Sequence, residues 1–355
     1  MLILAIESSC DETAAAVVQN GNVLLSSIIS SQIELHTPFG GVVPELASRE
    51  HLSKIETVVN QALAEANLEL QEIDAIAVTQ GPGLIGSLLV GVSYAKALAF
   101  GLGKPFIGVN HIEGHFYSVV FDNPPIEYPA LALIVSGGHT NLFFVPKEGK
   151  YKVVSRTRDD AAGEAFDKIA KMLGLGYPGG PAIERLAESG DKTAFKFTRP
   201  KISDGRPDFS FSGLKTAVSK LTKERSANRT ANDEKWLGDM AASVQNAIVK
   251  QLIETTAKAE SSLSAKTLVV AGGVACNLKL REAAKELGNR LSLPVYFPSK
   301  HLSTDNAAMI AAAAYPKLLN CETSSMAMTA DISLRLQNFE NIDAELRRKK
   351  VKYRL

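Results

Sequence analysis

Apolar and polar positions fall into two patterns along this chain, and each pattern occurs twice. Leu2 to Ile6 is a short apolar run, Ser8-Ser9-Cys10-Asp11-Glu12-Thr13 is polar, and Ala14 to Val18 is apolar again. Leu131 to Val135, Ser136-Gly137-Gly138-His139-Thr140 and Leu142 to Val145 repeat that order. Each predicts strand, tight polar turn, strand: a hairpin whose loop presents small residues and backbone N–H groups. In the second pattern, Ile73 to Thr79 reads as a strand, Gly81-Pro82-Gly83 as a turn, and Leu84 to about Ala99 as a long helix. Thr267 to Ala271, Gly272-Gly273 and a helix from about Asn277 to Leu287 match it. Strand, glycine turn and helix is the geometry that aims a helix N-terminus at a phosphate or an adenosine.

The chain therefore contains two related halves, and 355 residues suit two lobes better than one core. The boundary is expected in Asp122-Asn123-Pro124-Pro125, so residues 1–125 form a first lobe and 126–303 a second. A polar excursion rich in Lys, Arg and Pro interrupts the second lobe at about 191–210. The alanine-rich helix from about Thr304 to Tyr315 is expected to stop at Pro316 and to return to the first lobe, which it joins over about 304–320. Residues 321–355 are left as a C-terminal extension.

Composition changes this picture little. A 45% hydrophobic and 22% charged chain is an ordinary globular protein, which excludes disorder. Net charge is +1, so the surface as a whole does not attract nucleic acid. The exception is Arg347, Arg348, Lys349, Lys350, Lys352 and Arg354, either a solvated tail or a basic arm for phosphates. Three widely spaced cysteines, Cys10, Cys276 and Cys321, argue against a disulfide framework and for a reducing compartment. The N-terminal apolar run is broken by Glu7 and has no cationic leader, so it reads as a strand. Leu84 to Leu102 carries Lys96 and several glycines, which favours a buried helix over a membrane span. The expected location is cytoplasmic.

The sharpest chemical feature is His111-Ile112-Glu113-Gly114-His115. Histidines at i and i+4 share one helix face and can bite one metal ion, although two surface histidines give the same letters. Glu113 lies roughly 200° around the helix from His111, unlike the glutamate of the zinc-protease pattern. Asp305 in Ser303-Thr304-Asp305-Asn306 would complete a two-histidine, one-carboxylate set suited to iron or zinc, and helix N-capping is its plainer explanation. Three glycine-rich runs, Ser136-Gly137-Gly138, Gly174 to Pro181 and Gly272-Gly273, leave backbone amides free for anions. Glu164, Asp167 and Lys168 share one helical turn, either as a surface ion pair or with Asp167 receiving ligand hydroxyls. Asp208 to Thr216 reads as a packing turn followed by a helix, with Lys215 facing a phosphate or nothing.

Taken together, these blocks resemble the universal TsaD family, also called YgjD or Gcp. Ile6 to Thr13, Gly41 to Arg49, His111 to His115, Val135 to Thr140, Ala165 to Pro181, Phe209 to Thr216, Gly272 to Asn277 and Thr304 to Ala308 stand in family order. The resemblance implies an actin-like (ASKHA) fold, duplicated and two-lobed, with ribonuclease H-like mixed sheets flanked by helices. It also implies transfer of threonylcarbamoyl from threonylcarbamoyl-AMP to the N6 amine of adenosine 37 in tRNAs reading codons that begin with A. His111, His115 and Asp305 would hold one divalent metal ion, with Fe2+ expected and Zn2+ as the alternative. Ile134, Val135, Ser136, Gly137, Gly138, Asp167, Gly180, Glu184 and Asn277 would hold the adenylate, and ATP is a further candidate ligand. Glu184 departs from the Asp common in the family, and Ser303 from a cysteine.

No general base stands out; Asp11 and Glu12 are candidates by position alone. The implied partners are tRNA, a TsaB-like paralogue and a TsaE-like ATPase, with a separate synthase supplying the adenylate and no membrane. Two other readings compete. A metalloprotease would use the same histidines, and a nucleotide-dependent interaction protein of the actin and Hsp70 group would need no metal.

Overall fold

The computed structural model describes residues 1–198, 206–227 and 233–336. Within them the duplication in the pattern becomes two sheets of one topology, each in its own compact unit. The first unit comprises Met1–Pro125 and Pro298–Leu336, the second Ile126–Phe297.

The first unit opens with β1 (Leu2–Glu7), β2 (Glu12–Gln19) and β3 (Val23–Ser31). Next come α1 (Ile33–His36), α2 (Pro44–Ala66), β4 (Ala75–Gly81), α3 (Ile85–Leu102), β5 (Phe106–Asn110) and α4 (His111–Tyr117). Its strands lie in the order β3-β2-β1-β4-β5. The first three are antiparallel, and β4 and β5 continue the sheet in parallel beyond β1.

The second unit holds β6 (Ala130–Val135), β7 (Thr140–Lys147), β8 (Lys150–Arg156), α5 (Ala162–Met172), α6 (Gly179–Ala187), α7 (Ser212–Ala227), α8 (Asp233–Glu260), β9 (Thr267–Ala271), α9 (Leu278–Leu291) and β10 (Val295–Tyr296). Its order is β10-β9-β6-β7-β8, with β9 and β10 parallel and β6-β7-β8 antiparallel. Strand for strand this repeats the first sheet. The actin-like ASKHA fold is therefore present, with two mixed sheets flanked by helices.

The central strands explain the apolar runs. β1 and β6 are buried along almost their whole length, and a strand covered on both faces carries no polar alternation. Leu4 and Ile6 join Ile55, Val59, Leu88 and Val92 in the core under α2 and α3. The chain returns with α10 (Lys300–Ser303) and α11 (Ala307–Leu319), and α11 packs on β1, β2, β4 and β5. Ala307 to Ala314 are all buried. Small side chains on every side of this helix let it lie close to the sheet, which an amphipathic helix could not do.

Three boundaries differ from the sequence expectations. α11 runs through Pro316 to Leu319. Proline removes one hydrogen bond, but the last turn is held by buried Leu318 and by the ion pair of Lys317 with Glu113. The chain rejoins the first unit at Pro298 rather than near 304, with Ser299 N–H donating to Asp122 at 2.9 Å. Residues 321–336 belong to the first unit instead of standing apart. Phe195 and Phe197 anchor the start of the polar excursion on the second core; its residues 199–205 and the basic run 347–354 lie outside the described residues. α3 is long and apolar enough to cross a membrane by length and composition, and a third of it is buried. Leu88, Val92, Ala95 and Ala99 form its core face, while Ile85, Leu89 and Phe100 are exposed.

Candidate metal centre and nucleotide pocket

In the first unit, α4 follows β5 without a loop because Asn110 caps it. The Asn110 Oδ1 accepts from Ile112 N–H at 2.9 Å and from Glu113 N–H at 3.4 Å. This turns His111 and His115 to one side, their rings 4.7 Å apart edge to face. Asp305 meets them from the turn before α11: its Oδ1 is 3.6 Å from His111 Nε2 and 3.2 Å from His115 Nε2. Asp305 is not a helix cap. That position is Asn306, whose side chain accepts from Met309 N–H at 2.9 Å and donates to the Leu302 and Thr304 carbonyls. The plainer explanation for Asp305 therefore passes to its neighbour.

The donor set fits a metal ion. One ligand atom from each of His111, His115 and Asp305 lies within 4.8 Å of the others. His115 Nε2 is buried with Asp305 Oδ1 3.2 Å away, and a buried imidazole nitrogen facing a carboxylate and a second imidazole is a donor arrangement that suits a cation. His111 Nδ1 faces Glu7 Oε2 and Ser9 Oγ, both at 3.1 Å, which directs its Nε2 toward Asp305. A carboxylate behind a ligating imidazole fixes its tautomer and raises its basicity. Glu7 is fully buried and also accepts from Ser9 N–H and Thr79 Oγ1 at 2.5 Å each. In the sequence it stood only as a break in an apolar run; a carboxylate inside a central strand was the available signal.

Electrostatics follow from this crowding. Burial opposes charge on His111, but the Asp305 and Glu7 carboxylates outweigh it and raise its pKa to about 9. Burial and the neighbouring His111 charge lower His115, against the pull of Asp305. Burial, Asp305 and Asp11 push Glu12 well above the ordinary carboxyl value, which favours its neutral form. Asp11 lies in the first hairpin loop and Glu12 opens β2. Glu113 turns away to Lys317, as its helical phase predicted.

In the second unit, a pocket of about 160 Å³ is lined by Gly137, Asp167, Gly180, Glu184 and Asn277 together with Phe166 and Cys276. Close backbone approach builds it. A Cβ on Gly163 would meet the Ser136 carbonyl at 2.6 Å, and one on Gly272, whose φ is +93°, would meet the Val135 carbonyl at 2.4 Å. α5 and the β9 turn can therefore press on the second hairpin. Asp167 Oδ1 accepts from Gly179 N–H at 2.7 Å and so holds the start of α6. Glu184 Oε1 accepts from Leu278 N–H at 2.6 Å. Asn277 caps α9 through Leu280 N–H and donates to Gln245 Oε1 at 2.7 Å, a buried partner absent from the sequence reading.

Five of the nine expected adenylate residues share this pocket. Of the hairpin set, Gly137 reaches it; Ile134, Val135 and Ser136 are buried, and Gly138 is exposed at the loop without lining it. Asp159 and Asp160 were missed altogether. Asp159 caps α7 through Phe211 N–H and Ser212, and Asp160 pairs with Lys168 at 2.7 Å and Lys215 at 2.9 Å. Lys215 therefore faces a carboxylate. Cys10, Cys276 and Cys321 are not joined in disulfides.

The chain is thus a duplicated actin-like α/β protein with a three-ligand metal-type cluster in one unit and a glycine-lined pocket in the other. Solved structures agree on the fold: full-length HypF in a phosphate- and nucleotide-bound form aligns with a TM-score of 0.57 at 14% identity, covering 91% of this chain and 47% of that one. Sequence comparison is sharper. The family profile described as TsaD, tRNA N6-adenosine threonylcarbamoyltransferase, matches residues 23–312, and this chain belongs to that family. The tRNA N6-adenosine threonylcarbamoyltransferase of Koribacter versatilis is 50% identical over 95% of this chain and 99% of its own. That of a Geobacter species, strain M21, is 55% identical over 88% and 90%. The chain is thus a transferase of a tRNA-modifying family.

Proposed function

We propose that this chain transfers the threonylcarbamoyl group from threonylcarbamoyl-AMP to the N6 amine of adenosine 37 in tRNAs reading codons that begin with A, releasing AMP. The observation that carries the reading is the convergence of buried His111 and His115 with partly exposed Asp305, from segments far apart in sequence, in a chain of this family. These residues hold one divalent ion, Fe2+ or Zn2+. Such an ion supplies Lewis-acid stabilisation of charge developing on a carbonyl or phosphate oxygen.

The chain's own groups do the rest. Glu7 holds the His111 imidazole through Nδ1, so the ring keeps its orientation at no cost during reaction. Gly137, Gly180 and the open side of Gly273 let an adenylate lie against backbone, with Asp167 and Glu184 fixing the helix starts that flank it. The adenine amine is a weak nucleophile, so alignment and the AMP leaving group must supply much of the rate. A net charge of +1 is little for gripping a folded RNA, which supports a TsaB-like paralogue and a TsaE-like ATPase as partners and a separate synthase as source of the donor. Such a system works in the cytoplasm.

The test incubates unmodified tRNA with threonine, bicarbonate, ATP, the synthase and the partners, and quantifies threonylcarbamoyladenosine by nucleoside mass spectrometry. Product is expected only with the wild-type chain, falling at least a hundredfold with His111→Ala or Asp305→Ala. Full product with either variant would remove the metal from the mechanism. No product from a competent synthase and partners would leave the nucleotide-dependent interaction reading.

A further inference from the structure

Residues beyond the family match, which ends at 312, lie across the strand ends that carry α4. Ser324 N–H donates to the Phe106 carbonyl at 2.7 Å, and Ser324 Oγ accepts from Gly108 N–H at 3.0 Å. Lys96 Nζ reaches the Met328 carbonyl at 3.0 Å, and Gln80 Nε2 the Thr329 carbonyl at 3.2 Å. Asp331 N–H donates to the Gln80 carbonyl at 2.9 Å. Ala330 is buried in the first core, with Met328 packed against it. This stretch is tied to both β4 and β5 along its length and is not a loose tail.

Its last tie reaches the metal helix. Asn110 divides its amide between two tasks: Oδ1 caps α4, and Nδ2 donates to the Leu334 carbonyl at 3.2 Å. Asn110 is also the residue directly before His111 and pairs with Gly81 in the sheet. Two glycines make room for the stretch. A Cβ on Gly81 would lie 1.8 Å from the Asp331 carbonyl oxygen, and one on Gly108 would lie 2.3 Å from Met328 Sδ. Capping alone would be served equally by Ser, Thr or Asp, but Asp has no donor, and Ser and Thr have one oxygen on a shorter side chain where Asn110 has an acceptor and a separate NH2 donor.

We propose that Ser324–Leu334 is a built-in strap that sets the position of the metal-ligand helix, and that Asn110 is the positioning residue through which it acts. The strap holds β4 and β5 at their ends, and Asn110 passes that constraint to the first turn of α4. His111 and His115 follow on that turn and the next. The inference rests on the metal reading of His111, His115 and Asp305.

The test uses Co2+ as a probe of the purified chain, read by its visible ligand-field absorption, with thermal melting as a check on folding. Variants are Asn110→Ser, which keeps a cap acceptor on a shorter side chain and removes the amide NH2 that reaches Leu334; Gly81→Ala, which displaces Asp331; and chains ending after Leu336 or after Thr323. His111→Ala reports whether the signal belongs to this site. Co2+ affinity is expected to fall about tenfold or more in Asn110→Ser, Gly81→Ala and the chain ending after Thr323, in the range seen when outer-shell partners of metal ligands are lost. The chain ending after Leu336 retains wild-type affinity. Folded Asn110→Ser and Gly81→Ala proteins binding Co2+ within twofold of wild type, through a signal that His111→Ala abolishes, would overturn the strap alone. A signal that His111→Ala leaves intact would overturn the metal reading and the strap with it. If the shorter truncation does not fold, the two point variants decide.

Discussion

At the scale of single residues, the first unit concentrates charge where a folded protein ordinarily avoids it. Glu7, His111 and His115 are buried side by side, and Glu7 compensates His111. His111 is raised from 6.5 to about 9, so in the metal-free protein its charge adds stability that is complete below about pH 6.5 and fades as pH rises toward 9. A metal must displace that proton from Nε2. Affinity for Zn2+ is therefore expected to climb with pH across this range and to level off near 9, which isothermal titration at several pH values will measure. An affinity flat from pH 6.5 to 9 would show that Nε2 is already unprotonated. Asp305 and Glu7 together bring this about, and Glu7 was visible in the sequence; its partner His111 is 104 positions away, and no local pattern links them.

At the scale of elements, capping decides what α4 and α11 present. Both helices use asparagine as the cap, and in both the same amide also binds a carbonyl outside the helix. Asn306 is fully buried and ties the turn that carries Asp305 to Leu302 and Thr304. Asn306→Ala removes the cap and leaves buried backbone groups unpaired, a loss of about 1–3 kcal/mol. A fall in the denaturation midpoint of that size is expected, together with weaker metal binding because Asp305 loses its support. Stability within 0.5 kcal/mol of wild type, as for an ordinary surface change, would mean that water or another side chain replaces the amide. The Thr304-Asp305-Asn306 stretch showed a cap in sequence, but not which of its members was the cap.

At the scale of the whole molecule, the two chemistries are segregated by unit. Every metal-type ligand comes from Met1–Pro125 or Pro298–Leu336, and every pocket residue from Ile126–Phe297. Binding should segregate likewise. AMP is expected to raise the melting temperature of His111→Ala as much as that of wild type, because ligand stabilisation depends on affinity for the native state alone. Gly180→Val should abolish that AMP shift and leave Co2+ binding unchanged; a Cβ at Gly180 meets open space, so the fold tolerates it while the pocket narrows. Loss of both signals in either variant would show that the sites are coupled.

The sequence by itself determined most of the elements and the duplication, and its family motifs pointed to the cluster of His111, His115 and Asp305 and to five residues that line the pocket. Those features are written in short-range periodicities and in motif letters, which survive without knowledge of what lies opposite. The hairpins at residues 2–18 and 131–145 and the helix at 111–117 are of this kind. Only the tertiary structure decided which polar groups are committed to one another. It bound Glu7 to His111, Glu113 to Lys317, Asp160 to Lys168 and Lys215, and Asn110 to a strap more than 200 residues later. The physical reason is that buried polar groups must find partners wherever the fold brings them, and that pairing obeys distance in space rather than along the chain.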